Sequence, residues 1–240
     1  MKYIVVLLLG LLTGVALFAV GLTYNPFVGK RALSPLAVTD SQTVMLSYSA
    51  VAADAIMYTN DGESRIDPLP EKVQQLWEAP IRQSSAMVTV LRDGRSHVAG
   101  VGVKVSSAAE STHLLKGKAL LDSIWYVYLP GQGSFFVEQS ENYWDYLRDI
   151  VIPAYRHSGD TWKGTWMGNI TDGPGTLGMA RVVGGSGEFA GMEMLGVETL
   201  SVGAWRVEDG PLAAEGQLII ELPSVSADVD AEMDSLPDDN

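Results

Sequence analysis

Few residues in this sequence have the types and spacing that catalysis requires, and one glutamate is the best candidate among them. Glu193 follows a glycine-rich stretch and shares one face of a predicted strand with Phe189 and Leu195. A carboxylate on a face turned into an apolar interior would have a raised pKa and could act as an acid or a base. The alternative is that Glu193 faces solvent or pairs with Arg181 on the neighbouring strand.

The sequence lacks the familiar metal-binding and nucleophile motifs. His97, His113 and His157 are the only histidines, and none has the H-E-x-x-H spacing of a zinc site. The chain has no cysteine and no G-x-S-x-G turn, which excludes thiolate chemistry and the corresponding serine nucleophile. We therefore expect no metal and no cofactor. The net charge of −13 argues against nucleic acid as a partner.

Aromatic residues form a second group of candidates, because they are concentrated on predicted strands that a barrel would bring together. Such side chains could line an apolar cavity for a lipid-like or polyene ligand. They could equally form a packed core, since small barrels fill their interior with their own side chains. With Glu193, the candidate cavity residues are Trp125, Tyr126, Tyr128, Phe135, Trp162 and Trp166.

The stretch 160–200 would position several of these candidates. It predicts three consecutive strands: the first around Trp162 to Ile170, the second from Thr176 to Val183 and the third from Glu188 to Thr199. Turns are expected at the glycine-rich segments 172–175 and 184–187. Repeated glycines inside strands favour a sheet that bends, as happens when a sheet closes into a barrel.

The segment Gly184-Gly185-Ser186-Gly187-Glu188-Phe189-Ala190-Gly191, followed by Gly196, resembles the G-G-x-G-x-F-x-G…G hairpin of the allene oxide cyclase and dirigent-like β-barrel proteins. The resemblance is confined to the stretch 160–200. It implies an eight-stranded antiparallel barrel of the lipocalin-like kind with an apolar cavity, and it places no catalytic residue on this sequence. An antiparallel sheet with glycine-rich hairpins that does not close is the other interpretation.

The remaining sequence predicts further strands and two short helices. Strands are expected at 43–49, 85–91, 97–105, 119–129, 134–139 and 213–222, with a type I′ turn at Asp93-Gly94. The segment 51–58 fits either a strand or a helix. Helices are expected at 71–79 and at 140–152, the latter ended by Pro153. The fold class is therefore mainly β, a single closed or nearly closed antiparallel barrel of about eight strands.

The chain divides into four segments. Residues 1–23 form a transmembrane signal anchor or a cleaved signal peptide, 24–41 a linker, 42–223 the barrel domain and 224–240 an acidic, disordered tail. Either interpretation of the first segment is an export signal. We therefore expect a single-pass protein of a bacterial-type inner membrane, with its main domain on the periplasmic, extracytoplasmic side.

Two functions are compatible with this organisation. One is non-enzymatic binding of an apolar ligand or of a membrane-protein partner by the tethered barrel. The other is an isomerase or cyclase that resembles allene oxide cyclase and shapes a reactive apolar substrate. The polarity of the interior distinguishes them, because an enzyme requires a convergent polar cluster inside the cavity.

We predict that the full chain fractionates with membranes and resists carbonate extraction, because Tyr3 to Thr23 is an uncharged apolar run of 21 residues. Carbonate washing of membranes followed by immunoblotting measures this. Recovery of wholly soluble protein with Leu22 at its N-terminus would instead identify a cleaved signal peptide.

Overall fold

The structure of this protein is a computed structural model that describes residues 2–23, 43–51, 54, 56–59, 73–75 and 84–222. The predicted linker and acidic tail lie outside the described residues. The elements, in chain order, are α1 Lys2–Thr23, β1 Thr43–Ser49, β2 Ile56–Thr59, β3 Val73–Gln75, β4 Ser84–Arg92, β5 Val98–Ala108, β6 Leu120–Leu129, β7 Gly133–Asn142, α2 Trp144–Tyr146, α3 Ile152–Arg156, β8 Thr161–Asn169, β9 Ala180–Gly187, β10 Glu193–Arg206 and β11 Gly210–Glu221.

Eight of these strands form a closed antiparallel ring. Its order is β1-β11-β10-β9-β7-β6-β5-β4, and the pairing of Ser47 with Arg92 joins β4 back to β1. The long strand β10 pairs with β9 in its first part and with β8 in its second part. The predicted fold class, a closed or nearly closed antiparallel barrel of about eight strands, is confirmed.

Helix α1 precedes the barrel and has no charged residue after Lys2. Its segment Tyr3–Gly21 spans 19 residues with a mean hydropathy of 2.7, which is long and apolar enough to cross a membrane. A signal sequence has the same properties, so both interpretations of this segment stay open.

The interior of the barrel is packed with apolar side chains over one half of its length. Alternate residues of each strand point inward, as the period of two in a β-strand requires. This half contains Leu46, Leu91, Val127, Leu129, Phe135, Val182, Phe189, Leu218 and Ile220, which are buried against one another. A second apolar cluster, around Ile150, Leu200 and Trp205, lies under the helical segment 144–156 at the other end of the barrel.

The helical segment begins later than predicted, because β7 continues to Asn142. The Asn142 side chain ends the strand by accepting hydrogen bonds from the backbone N–H groups of Trp144 and Ala119. A π-helical turn at Leu147–Val151 then joins α2 to α3. Pro153 lies in the first turn of α3, and the helix continues beyond it to Arg156. The prediction that Pro153 ends the helix was therefore wrong.

Two other predictions of local structure were also wrong. The turn after β4 is closed by a hydrogen bond from Ser96 N–H to Asp93 C=O, and Ser96, at φ 63°, is the residue in the left-handed region. A type I′ turn at Asp93-Gly94 would need positive φ at both central residues. Of the helix expected at 71–79, the described part, Val73–Gln75, is instead a short strand parallel to β2.

The glycine-rich stretch forms a strand where a turn was expected. Residues 184–187 belong to β9 and pair with β7, and the chain reverses only at residues 188–192. Phe189 lies in this turn and its ring is buried in the core against Phe135. Gly184 permits this arrangement, because a Cβ at that position would lie 1.5 Å from the Phe189 carbonyl oxygen.

Replacement of Gly184 by alanine should destabilise the barrel, because the added Cβ meets backbone that cannot rotate away. We expect the free energy of unfolding to fall by about 2–3 kcal/mol and the Tm to fall by about 4–12 °C. Gly94→Ala is the matched control, since a Cβ there meets nothing within 4 Å. Thermal unfolding followed by circular dichroism measures both variants, and equal Tm values would contradict the assignment of Gly184.

Candidate functional site

A cavity of about 400 Å³ occupies the end of the barrel that the helical segment covers. Its walls are mainly apolar and include Met87, Leu121, Val151, Leu200 and Ala214. Four tyrosines, three serines, a lysine and a glutamate add polar atoms to this lining: Tyr48, Tyr143, Tyr146, Tyr155, Ser85, Ser106, Ser107, Lys104 and Glu141. A cavity of this size and composition is typical of sites for small organic molecules.

The polar part of the cavity is built around one buried lysine. Lys104, on β5, lies 2.6 Å from Glu141 Oε1 and 2.9 Å from Glu198 Oε1, measured from its Nζ atom. Glu141 is at the end of β7 and Glu198 is in the middle of β10, so three strands bring the charges together. Both glutamates are fully buried. One ammonium group therefore faces two carboxylates.

Because one ammonium group faces two carboxylates, the pKa values of the two carboxylates shift in opposite directions. Burial raises the pKa of Glu198, but Lys104 and hydrogen bonds from Tyr48 and Trp125 outweigh burial, and the pKa lies below its usual value. Burial also raises the pKa of Glu141, and here Lys104 does not compensate fully because Glu198 adds repulsion. Glu198 is thus the permanent counterion of Lys104, and Glu141 is the carboxyl group that more readily takes up a proton.

Lysine 104 itself stays protonated. Burial by itself lowers its pKa, but the attraction of Glu141 and then of Glu198 raises the pKa above its ordinary value. Its Nζ atom also lies 5.2 Å from the centroid of the Trp125 ring, which is within the range of a cation–π contact. The cavity therefore has a fixed positive charge in its polar wall.

Neutral donors satisfy the remaining acceptor positions of the two carboxylates. Glu198 accepts hydrogen bonds from the Tyr48 hydroxyl, the Trp125 indole at 3.0 Å and the Gln139 amide. Glu141 accepts from the hydroxyl of Ser123, from the amide of Gln139 at 2.9 Å and from the hydroxyl of Tyr143 at 2.9 Å. Such a saturated network holds each side chain in one position.

Tyr146 differs from the other polar groups of the cavity wall. It lies on α2, and its ring makes edge contacts with Tyr143 and Trp166. Burial raises its pKa, and a hydrogen bond from Trp205 to its hydroxyl oxygen opposes this rise. Within the part of the chain that the structure describes, its own O–H has no acceptor. The hydroxyl is therefore a neutral donor available to a molecule in the cavity.

The residues proposed from sequence lie in three different places. Trp125 and Phe135 are fully buried: Trp125 donates to Glu198, and Phe135 packs in the filled half of the barrel. Trp162 and Trp166 are half-buried beside the helical segment. The structure places the other three, Tyr126, Tyr128 and Glu193, on the outer face of the barrel, with 39% of Tyr126 and 45% of Tyr128 exposed. None of the seven belongs to the cavity lining.

The buried carboxylate on β10 is Glu198, whereas the sequence prediction chose Glu193. The prediction shifted the inward–outward alternation of this strand by one residue. The inward set was counted from Phe189, which lies in the turn and not in the strand. Counted from Met194, every second residue is buried, through Glu198 to Val202. The apolar alternation of 194–202 contains the signal that would have identified Glu198. Lys104 likewise shares its predicted face with Gly100 and Gly102.

No family model matches this chain, and a search among curated proteins finds no match. Solved structures of similar shape include a nonspecific heme-binding cyclase that catalyses a (4 + 2) cycloaddition during neoabyssomicin biosynthesis, at 7% identity and a TM-score of 0.36 over 82% of this chain and 78% of that chain. The Diels–Alderase AbmU from Streptomyces koyangensis is at 8% identity and a TM-score of 0.37, over 83% and 80%. These values are too low to transfer an activity.

The two carboxylates should respond differently to replacement by an amide. Both carboxylate oxygens of Glu198 accept hydrogen bonds, so in Glu198→Gln the new NH₂ group faces donors whichever oxygen it replaces. Buried donors then lose their acceptor, and we expect the free energy of unfolding to fall by about 2–5 kcal/mol. In Glu141→Gln the NH₂ group can donate to the Tyr143 hydroxyl, which turns to accept, and we expect a change of at most about 1 kcal/mol. Urea unfolding of each variant at pH 7 measures the difference.

The pH dependence provides a second readout for the same pair. The pKa of Glu141 is raised on folding, so the folded protein holds its proton longer, and stability falls as the pH rises through the folded pKa. Glu141→Gln lacks this loss, and its stability relative to the unmodified protein should improve as the pH rises above the unfolded value of about 4.3. A constant difference between pH 4 and pH 7 would contradict the assignment.

Proposed function

We propose that this protein is a cyclase or isomerase that takes an apolar, carbonyl-bearing small molecule into the cavity at the helical end of the barrel. The observation that supports this proposal is the convergent cluster of Lys104, Glu141 and Tyr143 in a cavity whose other walls are mainly apolar. A passive apolar pocket does not require buried charges, since replacing a buried ion pair with apolar residues is often neutral or stabilising.

Two donors can act on a substrate carbonyl in this cavity. The Tyr146 O–H has no acceptor among the described residues, and the Lys104 ammonium has two described acceptors for its three N–H groups. A hydrogen bond to a conjugated carbonyl withdraws electrons from the attached double bond and makes it more reactive. The apolar walls would hold the rest of the molecule in a folded conformation that brings its reacting ends together.

The chemistry that best fits these groups is an intramolecular rearrangement. In a ring closure of this kind the product has the same atoms as the substrate, so no co-reactant has to enter. The raised pKa of Glu141 adds a group that can hold a proton for an isomerisation beside a carbonyl.

Binding without catalysis is the second candidate function, and one observation favours it. The acceptor positions of Glu141 and Glu198 are already occupied by protein donors, so neither carboxylate is an unencumbered base. In that case the cluster would fix the shape of the barrel, and the cavity would hold an apolar ligand or the barrel would bind a membrane-protein partner.

For the cellular location we propose that α1 anchors the protein in an inner membrane, with the barrel on the periplasmic side. The length and hydropathy of Tyr3–Gly21 support a membrane span. An apolar substrate or ligand would then reach the cavity from the neighbouring lipid phase.

The catalytic proposal can be tested with a linear trienone, in which a diene is tethered to an enone. We expect the full chain to accelerate its cyclisation and to give an excess of one enantiomer, which achiral detergent micelles cannot produce. Tyr146→Phe should slow the reaction about tenfold, the effect of one hydrogen bond of about 1.4 kcal/mol. Chiral gas chromatography measures both the rate and the enantiomeric excess.

Two control variants make the result specific to the cavity. Tyr128→Phe is the same chemical change on the outer face of the barrel and should have no effect. Ala214→Trp fills the cavity and should give racemic product at the uncatalysed rate. Binding of the trienone with racemic product would favour the second candidate function, and absence of binding would contradict both.

A further inference from the structure

The outside of the barrel has an apolar face on β4, β5 and β6. Outward side chains on these strands are normally polar in a soluble barrel, but here six of them are aliphatic or aromatic and roughly two-fifths exposed. The main members of this face, which we call the outer apolar face, are Val90, Val101, Val105, Ile124, Tyr126 and Tyr128. Phe136 on β7 and Val183 on β9 extend it, and both are 40% exposed.

The strand register makes this face continuous. Val101 pairs with Tyr128, Val103 with Tyr126, and Val105 with Ile124 across β5 and β6. On the β4 side, Val90 pairs with Val101. The Tyr126 ring also contacts the Phe136 ring, with their centroids 5.2 Å apart. In the described part of the chain, each of the six main side chains remains about two-fifths exposed.

The size of the face approaches what a stable protein contact requires. Eight side chains, each about two-fifths exposed and each with roughly 150–250 Å² of surface, present on the order of 600 Å². Monomeric proteins rarely expose a larger apolar patch, and a standard interface buries about 800 Å² on each partner. Residues around the edge of the face would supply the rest of the area that a standard interface buries.

The charge around the face permits contact with an identical copy. The outward charged residues of the five strands are Arg92, Asp122, Glu138 and Arg181, two basic and two acidic. Glu138 and Arg181 form an ion pair at the edge of the face. The local charge is therefore 2 − 2 = 0, whereas the chain as a whole carries −13. Two copies would repel least if they met through this face, and an anionic lipid surface would repel the rest of the molecule.

We propose that the outer apolar face binds a second copy of this chain. The contact would cover the aromatic pair Tyr126 and Tyr128, residue types that are enriched in the centres of protein interfaces. It would leave the cavity untouched, because the cavity lies inside the barrel and its lining shares none of the six main residues of the face. The proposal is therefore independent of the proposed catalytic function.

Single-cysteine variants test this proposal, because the chain has no cysteine of its own. Val103→Cys places a thiol in the face, and Thr165→Cys, on β8 across the ring, is the control. The full chain, reconstituted in phosphatidylcholine vesicles, is treated with a short bis-maleimide or labelled with an environment-sensitive fluorophore. At position 103 we expect a cross-linked dimer at least fivefold more abundant than at position 165, and a blue shift that increases with protein density.

A charged variant tests whether the cross-linked dimer forms through the outer apolar face. Tyr126→Asp in the Val103→Cys background should lower the dimer fraction at least fivefold without changing the Tm, since Tyr126 faces outward. A blue shift that is independent of protein density and quenched by spin-labelled lipid would show that the face lies on the bilayer, which overturns the proposal. Solvent-like emission at every density, or equal cross-linking at positions 103 and 165, would also overturn it.

Discussion

The arrangement of the barrel depends on one buried ammonium group that has to be neutralised inside it. An unpaired charge in such an interior would cost several kcal/mol, so Lys104 requires a carboxylate within contact distance. Glu198 meets that requirement and is held ionised by it. The second carboxylate, Glu141, is not needed to neutralise Lys104. Because it is buried and lies near Glu198, its pKa is raised. A purely structural ion pair would need only one glutamate, which is the physical reason for assigning a role to Glu141.

The ionic cluster also determines where the barrel is filled and where it is hollow. Tyr48 and Trp125 donate to Glu198 from within the apolar core, and their rings contact each other edge to face. Both rings lie over glycines: a Cβ at Gly216 would be 2.0 Å from the Tyr48 ring, and one at Gly102 would be 2.8 Å from the Trp125 ring. These glycines let bulky donors reach the carboxylate. Beyond this polar layer the inward side chains no longer fill the interior of the barrel. The space that remains is the cavity, which the helical segment covers.

The sequence was sufficient to predict the barrel but not the site. Alternating apolar residues and strand glycines predicted the closed antiparallel sheet, because both are local signals. The phase of alternation failed in β10, since the turn containing Phe189 was counted as part of the strand. Glu141 was assigned to a helix because the strand pattern of β7 ends in polar residues that look like a helix start. Pairing between Lys104 and Glu198, 94 residues apart, depends on ring closure and leaves no local signal.

The same strands explain why the two faces of the barrel have unusual polarity. On β5 the inward residues are Gly100, Gly102 and Lys104, and the outward residues include valines at 101, 103 and 105. On β7 the inward residues Gln139 and Glu141 are polar, and Phe136 points outward. An ordinary soluble barrel has apolar residues inside and polar residues outside, and these positions depart from that pattern although most of the interior is apolar. Polar residues inside lower the stability that burial could provide, and apolar residues outside favour aggregation. Both features agree with the proposed ligand inside the barrel and the proposed contact with a second copy outside it.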